Sequence, residues 1–163
     1  MIQVSSMQAT FWMARQLWAK KVLVVGGGMV GCEVADFLGE LGHEVSVIEL
    51  RDQLGPDVIP EHRKFLMKDF EAYKVQGVTG AKVAQFFTDG VSYTLADGTE
   101  GRLEGFDNVV LAMGYRNNDT ISEEIKKIVA ETYVIGDAVK ARKALDATAE
   151  GLNAALNLTK EKK

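Results

Sequence analysis

In Lys21-Val-Leu-Val-Val25 four apolar residues follow one another, and the run empties into Gly26, Gly27 and Gly28 before the pattern becomes helical. Val34, Phe37, Leu38 and Leu41 then recur at helical spacing, Gly42 is placed to end the helix, and Glu44-Val-Ser-Val-Ile-Glu49 reads as a second strand. The spacing therefore predicts strand, tight turn, helix, strand. After a loop holding Gly55 and Pro56, Pro60 suits the first turn of a helix that runs to Tyr73, with Phe65, Leu66, Phe70 and Tyr73 facing inward. A short third strand is expected from Val75 to Thr79.

From Lys82 to Leu103 the period changes to two. Val91, Tyr93 and Leu95 alternate with Ser92 and Thr94, and Asp89-Gly90 and Asp97-Gly98 read as hairpin turns. That pattern predicts a three-stranded antiparallel meander where a plain doubly wound sheet would place a helix. Asp107-Asn-Val-Val-Leu-Ala-Met-Gly114 lacks alternation, as expected of a parallel strand buried on both faces. A helix from Ser122 to Val129 follows, then a strand over Thr132-Tyr-Val-Ile-Gly-Asp137, then a helix from Ala144 to Leu158 that is apolar at Leu145, Ala149, Leu152, Ala155 and Leu156. Upstream, Met7, Phe11, Ala14 and Trp18 share one face of a short helix leading into the first strand, and its tryptophans read as packing. The expected fold is α/β: a Rossmann-like three-layer domain with a parallel sheet and an antiparallel β-meander.

Composition narrows the classes. A chain of 163 residues can bury one full core, or one domain with an incomplete piece of a second. With 47% hydrophobic and 26% charged residues it is not a predominantly disordered sequence. A net charge of -4 without a basic stripe argues against nucleic acid as partner. Neither a signal peptide nor a membrane span is recognisable, so no membrane partner is expected. Cys32 is the single cysteine, which excludes an internal disulfide and a cysteine-built metal site and fits a reducing cytoplasm. Its place after the glycines could lower a thiol pKa, but small-residue packing is the simpler reading. His43 and His62 read as solvated surface without chemistry.

The glycines carry the candidate chemistry. Gly26, Gly28 and Gly31 form G-x-G-x-x-G, in which the first glycine permits the turn, the second lets backbone N–H groups approach a pyrophosphate, and the third brings helix and sheet close. A glycine-rich turn also occurs over kinase phosphates, so the motif alone decides little. The order strand, turn, helix, strand, acid favours a dinucleotide, with Glu49 placed to accept hydrogen bonds from ribose hydroxyls; its alternative is a surface carboxylate. Glu49 favours NADH over NADPH. Arg51 could reach a 2′-phosphate, but alternation puts it on the side of Glu49, where the two can pair.

Gly26-Gly-Gly-Met-Val-Gly-Cys-Glu33, the acid-ended strand, the meander, Ala112-Met-Gly-Tyr-Arg116 and Tyr133-Val-Ile-Gly-Asp137 together resemble the pyridine nucleotide-disulfide oxidoreductase superfamily. Ile135-Gly-Asp-Ala-Val-Lys-Ala-Arg-Lys-Ala-Leu-Asp146 with Ala149-Glu-Gly151 is similar to the C-terminal end of old yellow enzyme-like flavoproteins of the dienoyl-CoA reductase and enoate reductase type. The resemblance implies a connector helix over 1–20, an NAD(P)-binding domain over 21–114 and the C-terminal segment of an incomplete FAD-binding domain over 115–163. It implies that Gly26, Gly27, Gly28, Met29, Val30 and Gly31 hold the pyrophosphate, with Glu33 toward the nicotinamide. Glu49 holds the ribose with Leu50 and Arg51 beside it, Ala112, Met113 and Gly114 flank the cleft, and Asp137 contacts FAD. The implied cofactors are NADH and, in the full-length protein, FAD, with FMN and an iron-sulfur cluster in a region not present. No metal ligand or catalytic residue is implied in this chain.

An earlier glycine fingerprint, a barrel for FMN and a cysteine cluster are missing, so the chain is expected to be a fragment whose partner is the N-terminal part of its parent. Alone it should neither turn over nor retain FAD. Val134, Ile135, Leu145 and Leu152 then need another surface, such as a neighbouring copy in a homo-oligomer. A redox cysteine pair is absent too, so disulfide reductase chemistry is not implied.

Three functions compete. The leading one is a module that orients NADH so that hydride passes to FAD and on to an unsaturated acid or thioester. A stand-alone dehydrogenase would need its own acid or base, commonly Tyr-x-x-x-Lys, yet none of Tyr73, Tyr93, Tyr115 and Tyr133 has lysine four residues on. The third is a non-catalytic NAD-binding or sensor domain.

Overall fold

β1 (Lys21–Val25) is a central strand of the parallel sheet, and its apolar run is explained by cover on both faces. The computed structural model describes residues 20–160. The helix expected over Met7 to Trp18 lies outside them. β1 pairs in parallel with β2 (Glu44–Ile48) on one side and with β7 (Asn108–Leu111) on the other, so that Val24 faces Val47 and Val110. β3 (Gln76–Val78) extends the sheet beyond β2, giving the order β3-β2-β1-β7.

Helices α1 (Met29–Glu40) and α2 (Pro60–Tyr73) share a core with one face of this sheet, in which Val22, Val24, Val45 and Val47 meet Cys32, Ala35, Leu38 and Phe70. The meander of β4 (Ala81–Phe87), β5 (Gly90–Leu95) and β6 (Glu100–Leu103) covers the other, where Leu23, Val25 and Ile48 pack with Ala81 and Val91. The result is the expected three layers. Each fully buried Val or Leu of β1 contributes about 1.5–3 kcal/mol, so the end of β1 is firmly held.

Contacts divide the chain into two compact units, the first ending at Met113 and the second beginning at Gly114. The second holds α3 (Ser122–Ile128), a 3-10 turn (Gly136–Ala138) and α4 (Ala144–Lys160). Asp119 caps α3 by accepting the Ser122 backbone N–H at 3.0 Å, and Glu150 of α4 accepts the Gly136 N–H at 2.7 Å. Leu145, Leu152 and Leu156 are exposed. No helix among the described residues is long and apolar enough to cross a membrane.

Several local expectations are corrected. Thr132 to Asp137 is not a strand, because no neighbouring strand among the described residues offers it a ladder. β7 is the sheet edge and only half-buried, and β3 is confined to Gln76–Val78. Phe65 is exposed beneath the Lys68 ammonium, 5.8 Å from its ring centre, while Phe70 takes the buried position of α2. Gly90 begins β5 instead of turning the chain; a Cβ there would lie 1.9 Å from the Leu103 carbonyl oxygen, so it is close approach that requires glycine.

His43 is buried, not solvated, and its Nε2 has no hydrogen-bond partner among the described residues. The cause is the end of α1: His43 donates its N–H to Leu38 and Gly42 donates to Gly39, with Gly42 at φ 85°, a Schellman closure that folds the next residue under the helix.

Candidate functional site

Backbone geometry at the end of β1 accounts for each glycine of the motif. Gly26 sits at φ 103°, and a Cβ there would lie 2.4 Å from the Ala112 carbonyl oxygen. At Gly31 a Cβ would lie 1.8 Å from the Gly26 carbonyl oxygen, so any side chain would push α1 off the turn. Gly27 is buried against Leu54 and Glu49. Gly28 differs from these: its missing Cβ faces polar side-chain tips, Arg51 at 3.3 Å and the Asp57 carboxylate at 3.5 Å. Gly26, Gly27 and Gly31 are required by close approach within the fold, whereas a Cβ at Gly28 would meet only the side-chain tips of Arg51 and Asp57 at the start of α1.

Glu49 follows β2 directly, and the parallel register that aligns Val25 with Ile48 brings it beside the turn. Its Oε2 accepts the Gly27 N–H at 2.6 Å, and its Oε1 accepts the Arg51 N–H at 2.9 Å and Nε–H at 2.8 Å. The carboxylate is buried. Burial works to raise its pKa, but the hydrogen bonds from the Arg51 side chain, the Arg51 backbone and the Gly27 backbone outweigh it and hold the group below its ordinary value. Glu49 is therefore an anion in the folded protein at neutral pH, pinned to the glycine turn.

The other expected residues divide by position. Met29 and Val30 start α1, Val30 with its side chain exposed, and Glu33 is exposed one turn further on. Leu50 is exposed beside Glu49; Ala112 is half-buried against the glycine turn and Met113 is exposed. Gly114, at φ 82°, and Asp137 belong to the second unit, where Asp137 is exposed and accepts the Arg142 N–H at 3.4 Å. Gly26 to Gly31, Glu49, Arg51 and Ala112 are thus brought together in the first unit.

Gly55 and Pro56 mark the loop from Leu54 to Asp57 in the sequence, but no motif there points to a part in the site. Gly55 donates its N–H to the Gly27 carbonyl at 2.7 Å, Leu54 is buried under the turn, and Asp57 accepts the Met29 N–H at 3.0 Å. Cys32 is buried too, with its thiol directed to the Gly27 carbonyl at 3.3 Å, and burial pushes its pKa up to about 11. It is part of the packed core of the first unit. No group of metal-ligating side chains occurs among the described residues.

The model of the pyridine nucleotide-disulphide oxidoreductase family matches residues 3–143. Among relatives, the NADH oxidase of Thermoanaerobacter brockii is 33% identical over 142 residues, covering 83% of this chain and 21% of its own. The bilirubin reductase of Mediterraneibacter gnavus (strain CC55_001C) is 38% identical over 104 residues, covering 63% of this chain and 16% of its own. Among solved structures, 2-naphthoyl-CoA reductase in complex with 2-naphthoyl-CoA superposes with a TM-score of 0.70 at 26% identity, over 88% of this chain and 22% of that one. The chain thus spans about a fifth of the length of the relatives it matches.

Proposed function

We propose that the first unit of this chain is the NADH-binding module of a flavin-dependent reductase, on the premise that the chain belongs to the pyridine nucleotide-disulphide oxidoreductase family. That family is one of flavoprotein oxidoreductases, using NAD(P)H and FAD. The observation that carries the reading is the Glu49 carboxylate, fixed to the Gly27 N–H at the end of β1. A carboxylate offers about four acceptor positions. Three are taken, by Gly27 and twice by Arg51, which leaves one on Oε2 for a ribose hydroxyl. Gly28 supports the same reading, since its absent side chain lets the first N–H groups of α1 meet an anion.

NADH, when bound, supplies the hydride. Met29 and Val30 contribute N–H groups to the pyrophosphate, Glu49 orients the ribose, and Ala112 and Met113 flank the nucleotide. Residues 21–114 form the nicotinamide domain on this reading, and residues 115–163 belong to an FAD-binding domain with Asp137 toward the flavin.

The finer type is old yellow enzyme-like, with hydride passing from NADH to FAD and on to an unsaturated acid or thioester. The likeness to a reductase that holds 2-naphthoyl-CoA supports the thioester class. Titration of the chain with NADH, followed by the emission of the reduced nicotinamide, tests the reading. One site per chain that weakens at least about tenfold in Glu49→Ala is expected; no saturable binding would overturn it.

A further inference from the structure

α1 carries no cap of its own. Its N-cap is Gly28, no acid lies in its first turn, and no side chain of the flanking residues closes it. The Met29 N–H is instead taken by Asp57, 28 residues downstream, at 3.0 Å. The same carboxylate lies 3.8 Å from the Arg51 guanidinium, and these two side chains are the nearest atoms to the space that glycine leaves at position 28. Both are about half exposed, so the space is covered by a solvated ion pair and not by packed core.

We propose that Asp57 is a built-in competitor for the pyrophosphate: it and the nucleotide contend for the Met29 N–H and the space over Gly28, and Asp57 thereby sets nucleotide affinity. The inference rests on the nucleotide reading above. Two anions cannot share one N–H donor and one side of a guanidinium without repulsion, so entry of the pyrophosphate displaces the carboxylate. The loop is built to allow this. Leu54 stays buried and Gly55 stays bonded to Gly27, while Pro56 and Asp57 lie beyond a glycine at φ 59°. Rotation of the Asp57 side chain clears the donor without disturbing those anchors. Arg51 keeps its bond to Glu49 and exchanges one anionic neighbour for another.

The test compares NADH, ADP and adenosine as ligands of the wild-type chain, Asp57→Asn and Asp57→Ser. Asparagine keeps the shape and serine keeps a neutral acceptor, so either variant suffices if the other fails to fold. Both are expected to bind NADH and ADP on the order of fivefold more tightly than the wild type, with adenosine unchanged because it lacks phosphate. Equal or weaker binding of NADH and ADP by the variants, with the wild type still binding NADH, would overturn the competition and leave the nucleotide reading intact. Equal tightening for adenosine would also overturn it, because the effect would then not depend on phosphate. Absence of NADH binding in every chain would instead remove the nucleotide reading itself.

Discussion

Arg51 donates from Nε to Oε1 of Glu49 at 2.8 Å, and on the nucleotide reading proposed above this pairing bears on the choice between NADH and NADPH. If the ribose binds at Glu49, its buried carboxylate sets an anion against a 2′-phosphate. The guanidinium that could receive such a phosphate is held by Glu49 and lies near Asp57. NADH is therefore expected to bind more tightly than NADPH. Glu49→Gln removes the repulsion and frees Arg51, so the NADPH-to-NADH affinity ratio should rise by about tenfold. Equal or tighter NADPH binding by the wild type would make Arg51 the reader instead.

The same carboxylate couples stability to pH. Its pKa is lowered in the folded protein from an ordinary 4.5, so the folded state binds this proton less readily than the unfolded chain does. The contribution is present above the ordinary value and is lost as pH falls through the depressed one. Urea unfolding of the wild type and Glu49→Gln should differ by a constant amount above about pH 5, and the difference should shrink as pH falls further. A difference that grows in acid would contradict the assignment.

Two glycines of one motif should respond in opposite ways. Gly31→Ala puts a methyl 1.8 Å from the Gly26 carbonyl oxygen, a backbone atom with no freedom to yield, and should cost about 3 kcal/mol of stability. Gly28→Ala meets only the tips of Arg51 and Asp57 and should change stability by less than about 1 kcal/mol. Its NADH affinity should nonetheless fall by about tenfold, because the approach to α1 is narrowed. Thermal melts and nucleotide titrations of the two variants separate fold from binding.

What the sequence disclosed followed from local periodicity. β1, β2 and both helices of the first unit are each specified by their own residues, and the meander by its period of two; all these elements form, although Phe65 of α2 faces outward and Gly90 begins β5. The misreadings arise where pairing or burial is decided by how elements end and assemble, not by a residue's own pattern. Apolar content cannot distinguish β7, at a sheet edge, from a central strand, because strand order is not a local property. Thr132 to Asp137 has the composition of a strand, but a ladder needs a neighbour. His43 looked like surface because its burial is decided by how α1 ends. At the candidate site the glycines and Glu49 stood out by spacing, whereas Asp57 reaches Met29 through a loop whose path no motif encodes.

Cys32 should behave as core. With the thiol buried and its pKa pushed up to about 11, reaction with a thiol reagent at pH 8 should be slower than in the urea-unfolded chain by a factor on the order of 100 or more. Rapid native labelling would mean that the start of α1 opens far more often than its packing suggests.

On the proposed function the turn between β1 and α1 holds NADH, and backbone amide spectra during an NADH titration test this most directly. Saturable shifts are predicted at the amides of Gly27, Gly28, Met29 and Arg51, with Met29 moving most because its Asp57 contact is exchanged for phosphate. An absence of saturable shifts at these four amides, whether or not signals elsewhere respond, would contradict the account.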